Sequence, residues 1–243
     1  MKISNVFSSG SCRLVTTIHN GRGKIAPIHS MFDNCFGINF LGKLHNVKQH
    51  IQFIKWINDE IELPHTILSS FLTSYCVSNS SIRGIESLEL NPIKKKTIKD
   101  KFKECDYYIF EICSLKLYEK GGYQVQHELT NDYACVLQSE TDLYNDLKIL
   151  YDLIPEGKRI IFQIHFRPNI IYNDTSRTID NREIIYDVVN KFCNTNENAY
   201  LYDPSILLNT DKSLFDGDTH FNPRGHEMSF KYLYDNFIHK SAF

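Results

Sequence analysis

Two hydrophobic rhythms alternate along the chain. A continuous apolar run rich in β-branched and aromatic residues falls at 105–113 (CDYYIFEIC), and apolar, β-prone stretches fall at Ile3 to Ser9, at 158–165 (KRIIFQIH) and at 199–203 (AYLYD). Between them, apolar residues recur at helical spacing: Val47, Ile51, Ile54, Ile57 and Ile61; Leu143, Leu147, Leu150 and Ile154; Ile185, Val188, Val189 and Phe192; Phe230, Leu233, Tyr234 and Phe237. Runs without polar alternation suit strands covered on both faces of a parallel sheet. Strands alternating with helices therefore predict an α/β fold, with helices on both faces and right-handed crossovers.

Punctuation refines the element order. SCRLVTTIHNG reads as a helix that follows Gly10 and closes at Gly21, and KIAPIHS (24–30) as a short second strand, for which Pro27 suggests an edge or an irregular piece. A helix is expected from Asn46 to Leu63, stopped by Pro64, with HTILSSFLTSY as a second helical piece. SNSSIRGIESLELNP is a polar connector that ends with Asn91 as cap and Pro92 in the first turn of a helix carrying Lys94, Lys95 and Lys96. SLKLYEKGGYQVQHELTNDY reads as a long polar loop. SETD is a capping box for the helix that Pro155 and Gly157 close, RPNIIYNDTSRTIDN is a loop, and Asn222 and Pro223 open the last helix. One domain, 1–243, is expected.

Composition narrows the function classes. With 243 residues, 42% hydrophobic and 23% charged, the chain can bury a sizeable core. A net charge of −2 lacks the basic footprint of nucleic-acid or anionic-membrane binders. No run approaches a membrane span and the apolar stretch of MKISNVFSSGSC is too short for a signal peptide, so a cytoplasmic protein is expected. Seven cysteines without a C-x-x-C pair argue against a disulfide framework and a zinc ribbon, and no metal is expected.

In open parallel sheets, ligands bind beyond the carboxyl ends of the strands. After the first strand stand Gly10, Ser11, Cys12 and Arg13, which put a hydroxyl or a thiol at a helix N-terminus, where free N–H groups favour a thiolate or an oxyanion. The turn alone does not choose between Ser11 and Cys12, and an ordinary capping serine beside a buried cysteine fits it too. The fourth strand delivers His165 and Arg167, the latter an ion-pair partner or an anion clamp. Ahead of the last helix, LFDGDTHFNPRGHE carries Asp218 and His220, two residues apart in a loop, as a carboxylate and imidazole able to face one site. Arg224 and His226 read as surface residues and Phe221 as the loop's anchor.

Together the two ends resemble the SGNH or GDSL superfamily of esterases and acyltransferases, which places a nucleophile after the first strand and an Asp and a His before the last helix. GSC stands where GDS would be, and DTHFNPRG is similar to the loop of polysaccharide O-acetyltransferase members. The GSC turn is also similar to that of the GSCFA proteins. The resemblance implies a three-layer α/β/α sandwich with a mainly parallel, about five-stranded, flavodoxin-like sheet. It puts Cys12 at the nucleophile position and Ser11 at the family's Asp position, with His220 as base and Asp218 as its acid, Asp216 being the alternative.

The family's oxyanion block has no direct counterpart. Ser114 and Lys116 in EICSLK are the polar candidates, with Gly37, Asn39 and the backbone N–H groups of Cys12 and Arg13 as further helpers. The resemblance implies acyl transfer on a carbohydrate-type substrate, by an O-acetyl esterase without a cofactor or by an O-acyltransferase drawing on a donor such as acetyl-CoA. A small molecule or a glycan is the expected partner, with the oligomeric state left open. Two rival readings are a catalytically inactive glycan- or anion-binding module using Arg13, Arg167 and His220, and a metal site built on His165, His220 and Asp218.

Overall fold

The computed structural model describes residues 4–21, 28–30, 44–64, 66–67, 92–125, 133–167, 181–208, 211–216 and 220–239. Five strands form one parallel sheet: β1 (Ser4–Ser9), β2 (Ile28–Ser30), β3 (Tyr107–Ile112), β7 (Arg159–Ile164) and β8 (Ala199–Tyr202), in the order β2-β1-β3-β7-β8. The segment 28–30 takes the edge position that Pro27 suggested. The expected three-layer α/β/α sandwich is the observed one.

Period-two alternation divides the sheet between two helical layers. Phe7, Tyr108, Phe110, Ile112, Phe162 and Ile164 point to one face, where α2 (Val47–Ile57), α3 (Pro92–Glu104), α4 (Glu140–Asp152) and α5 (Arg182–Thr195) cover them. Val6, Ile109 and Ile161 point to the other, against Leu14 and Ile18 of α1 (Cys12–Gly21) and Phe230 and Leu233 of α7 (Pro223–Leu233). A short helix, α6 (Pro204–Leu208), follows β8.

Helix starts follow their caps. Asn46 and Gln49 form a full capping box on α2, Ser139 accepts the Asp142 N–H on α4, and Asn222 accepts the Gly225 N–H on α7. The end of α2 differs from expectation: it stops at Ile57 rather than running to Pro64. Asn58 serves as its C-cap and Asp59 adopts the left-handed conformation (φ 63°), which turns the chain before the proline is reached.

The segment read as a long polar loop is partly a second sheet. Strands β4 (Lys116–Lys120), β5 (Tyr123–Gln124) and β6 (Ala134–Leu137) pair antiparallel in the order β5-β4-β6. Gly121 and Gly122, both at positive φ, supply the two-residue hairpin turn that joins β4 to β5. Of the expected helical piece 65–75 and the connector 78–92, all but Thr66, Ile67 and Pro92 lies outside the described residues. Among the described residues, no helix is long and apolar enough to cross a membrane.

The contact between α1 and α7 fixes the site geometrically, because α1 begins at Cys12 and α7 begins just after His220. Its closest approach is at Gly21, where a Cβ would lie 1.9 Å from the Phe230 ring. Gly21→Ala is therefore expected to lower stability by about 1–3 kcal/mol, seen as a lower urea midpoint with an unchanged slope.

Candidate functional site

Beyond the carboxyl ends of β1, β3 and β7, polar side chains converge on one carboxylate. Glu111, the fifth residue of β3, has no solvent exposure. Its Oε2 accepts the Ser11 N–H at 2.7 Å and the Ser11 hydroxyl at 2.6 Å, and its Oε1 accepts Arg13 Nε at 2.7 Å. Burial pushes the carboxyl pKa up, but the Arg13 charge and these donated bonds outweigh it and hold Glu111 below the usual carboxylate range. Gly10 is required by the same contact: a Cβ there would lie 2.5 Å from Glu111 Cβ.

The turn after β1 is thus anchored from beneath. Ser11 is 3% exposed and caps α1, its C=O accepting the Val15 N–H and its Oγ accepting the Arg13 N–H at 3.4 Å. The hydroxyl proton of Ser11 is committed to a carboxylate that is a weak base, which leaves Ser11 poorly suited to attack a substrate. Cys12 is the first residue of α1, between the two residues that Glu111 holds. The Arg13 N–H, named above as an oxyanion donor, faces Ser11 Oγ.

Two histidines brace this end of the sheet. His50 of α2 accepts the Ser9 hydroxyl at Nδ1 (2.9 Å) and donates from Nε2 to the Glu111 carbonyl (3.0 Å). His226 of α7 pairs its Nδ1 with Thr17 Oγ1 of α1 at 2.8 Å, so it is a buried link between two helices rather than a surface residue. Burial lowers both to about 4.

His165 closes the cluster. Its Nε2 lies 3.1 Å from Arg182 Nη2, which can only donate, so the ring proton belongs on Nδ1, 3.3 Å from the Phe166 carbonyl. Burial, then the charges of Arg13, Arg182 and His220, keep it neutral. Arg13 comes from the first turn and His220 from the last loop, and the charge of each disfavours protonation of His165, so both motifs lie within electrostatic reach of one side chain. His220 itself is exposed, on a ribbon of β9 (Phe215–Asp216) and β10 (His220–Phe221) in which it stands opposite Asp216. Phe221 anchors that ribbon, its ring 4.5 Å from the ring of Phe166, the residue after His165.

The remaining candidates divide. Arg167 is engaged structurally: Nε reaches Asp203 Oδ2 at 2.8 Å, Nη1 reaches Glu183 at 3.0 Å, and its guanidinium lies 3.7 Å above the Tyr186 ring. An anion clamp needs donors that these carboxylates already occupy. The Ser114 hydroxyl accepts the backbone N–H of Lys116, whose side chain is exposed on β4. Asp218, Gly37 and Asn39 lie outside the described residues. Among the described residues, no group of three or more His, Cys, Asp or Glu side chains could hold a metal ion.

Sequence reasoning missed Glu111, Arg182 and Cys113. The first two had a signal: a charged residue within a doubly buried strand must be paired, and an arginine opening a helix at this edge faces the strand ends. Burial and the nearby Glu111 push the Cys113 thiol up to about 12, although Arg13 donates a hydrogen bond to it. Gln163, opposite Glu111 in register, is fully buried, and neither polar atom of its side chain has a hydrogen-bond partner among the described residues.

A parallel α/β/α sheet with a buried polar cluster at its carboxyl edge defines a class that binds ligands at the strand ends. The model of the TviD N-terminal domain family matches residues 4–145, more than half of the chain, and the chain belongs to that family. A comparison with curated proteins finds no match. Among solved structures, a lipolytic G-D-S-L family member from Veillonella parvula is 12% identical with a TM-score of 0.39, covering 96% of this chain and 98% of that one. The lipase Lip_vut3 from a goat rumen metagenome is 12% identical at 0.39, covering 96% of each. The salicylyl-acyltransferase SsfX3 from a tetracycline biosynthetic pathway is 12% identical at 0.44, covering all of this chain and 56% of that one.

The two brace histidines predict an acid limit to stability. Unfolded, each protonates near the ordinary histidine value of 6.5; folded, each stays neutral down to about 4. Their contribution is complete above about pH 6.5 and drains away as the pH falls to about 4. The urea midpoint is expected to drop across that window, and less steeply in His226→Asn.

Proposed function

We propose that the chain is an acyl-transfer enzyme that works through Cys12, with His220 as its base. The observation that supports this reading is that the turn holding Cys12 and the ribbon holding His220 lie at the same edge of the sheet, the turn bonded to Glu111 and the ribbon anchored through Phe221 on Phe166, beside His165. A cysteine at a helix N-terminus and an imidazole from a separate loop are the two parts that nucleophilic catalysis needs.

In the proposed cycle, His220 takes the thiol proton and the Cys12 sulfur attacks the acyl carbonyl. The tetrahedral oxyanion forms at the N-terminus of α1, where the helix dipole favours negative charge. It collapses to a thioester as the leaving oxygen or sulfur takes the proton from His220. Water or a hydroxyl then attacks, giving its proton to His220, and the thiolate leaves. Water makes the protein an esterase; a hydroxyl acceptor makes it an O-acyltransferase. The resemblance of GSC and DTHFNPRG to polysaccharide O-acetyltransferase members favours a carbohydrate substrate, and an acyl thioester such as acetyl-CoA is the donor in the transferase case.

The carboxylate that orients His220 comes from its own ribbon. Asp216 stands directly opposite His220, and directly opposed residues in an antiparallel pair share a face. Asp218 is the alternative that the family pattern implies.

Cys12→Ala and His220→Ala are each expected to reduce hydrolysis of a short-chain aryl ester by about a thousandfold or more, with circular dichroism unchanged. Ser11→Ala keeps most of the activity, and loss of activity in that variant with retention in Cys12→Ala would assign the serine instead. Comparing Asp216→Asn with Asp218→Asn identifies the orienting carboxylate as the one whose loss lowers kcat more.

A further inference from the structure

Resting on the acyl-transfer reading, we propose that Glu111 is a positioning residue that selects Cys12 over Ser11 as the nucleophile of the turn and balances the charge of Arg13 beside it. Glu111 bonds Ser11 through both its N–H and its hydroxyl, and bonds Arg13 through Nε. Those two residues flank Cys12, so a single buried carboxylate fixes the chain on either side of the reactive position. Ser11 is removed from competition because its hydroxyl proton points into the protein. Gly10 leaves the space that the carboxylate occupies.

The carboxylate also sets the local field. The ionisable and charged groups around it come from every element packed at this edge: Arg13 of α1, His50 of α2, Cys113 after β3, His165 after β7, Arg182 of α5, and His226 of α7, with His220 on the ribbon. Only Arg13 both bonds Glu111 and adjoins Cys12 in the chain. The pair therefore acts on Cys12 as a near-neutral unit. Removing the carboxylate leaves the guanidinium of the next residue in the chain uncompensated, which favours a thiolate at position 12.

The test is the pH profile of Cys12 alkylation by iodoacetamide, followed by peptide mass in the full chain. Glu111→Gln is expected to move the midpoint down by about one pH unit, and Glu111→Gln with Arg13→Gln to return it towards that of the unmodified chain. A midpoint unmoved in both, with only thermal stability lowered, would overturn the proposal and leave Glu111 a structural core residue. If Glu111→Gln does not fold, Arg13→Gln alone, which keeps the carboxylate, is expected to move the midpoint upward; no movement there overturns the proposal equally. The acyl-transfer reading fails separately: the charge variants still shift the Cys12 profile, but Cys12→Ala retains full ester hydrolysis.

Discussion

A carboxylate cut off from water must be given its donors by the protein, and Glu111 takes its side-chain donors from one turn. The desolvation cost of such a group is several kcal/mol, so the structure around it is constrained to supply Ser11 and Arg13 where they stand. The turn after β1 is thereby tied to the neighbouring strand by three hydrogen bonds to one side chain. It also explains why glycine precedes it, since any side chain at position 10 would collide with the carboxylate stem.

From that point the rest of the site is placed by packing. The helix that leaves the turn lies against α7, with Gly21 admitting the Phe230 ring and Thr17 meeting His226. Because α7 is held to α1, the ribbon that leads into it is held near the turn, and the rings of Phe166, Phe215 and Phe221 pin that ribbon to the end of β7. His220 is exposed, but the residue next to it is buried. The alternation of a two-residue strand therefore aims the imidazole outward from an anchored base.

The element order was legible because a five-stranded parallel sheet writes its buried strands as unbroken apolar runs and its helices at their own period. The candidate residues at the two chain ends could be nominated for a different reason: GSC and DTHFNPRG are compact in sequence. What joins them is not. Glu111 sat inside CDYYIFEIC, where the apolar run around it disguised a charged residue as part of a strand, and its partners are about a hundred positions away. Arg182 was hidden likewise, at the start of a helix recognised only by its apolar stripe. The second sheet was missed although Gly-Gly between KLYEK and YQ is a hairpin signal, because the alternating charges of β4 read as solvated loop. Pro64 was given the end of α2 when Asp59 had already turned the chain.

The distribution of carboxylates at this edge of the sheet narrows the catalytic assignment. Glu111 is committed to Ser11 and Arg13, and Asp203 and Glu183 are committed to Arg167. A carboxylate already holding a guanidinium is a poor partner for an imidazole that must become charged during the reaction, since its negative field is largely spent. Of the described carboxylates, Asp216 stands across the ribbon from His220, and the proposed base would take its acid from there or from Asp218, two residues before it in the sequence. Asp216 would share a two-stranded ribbon with the base it is proposed to serve, while the turn that carries Cys12 is bonded separately to Glu111.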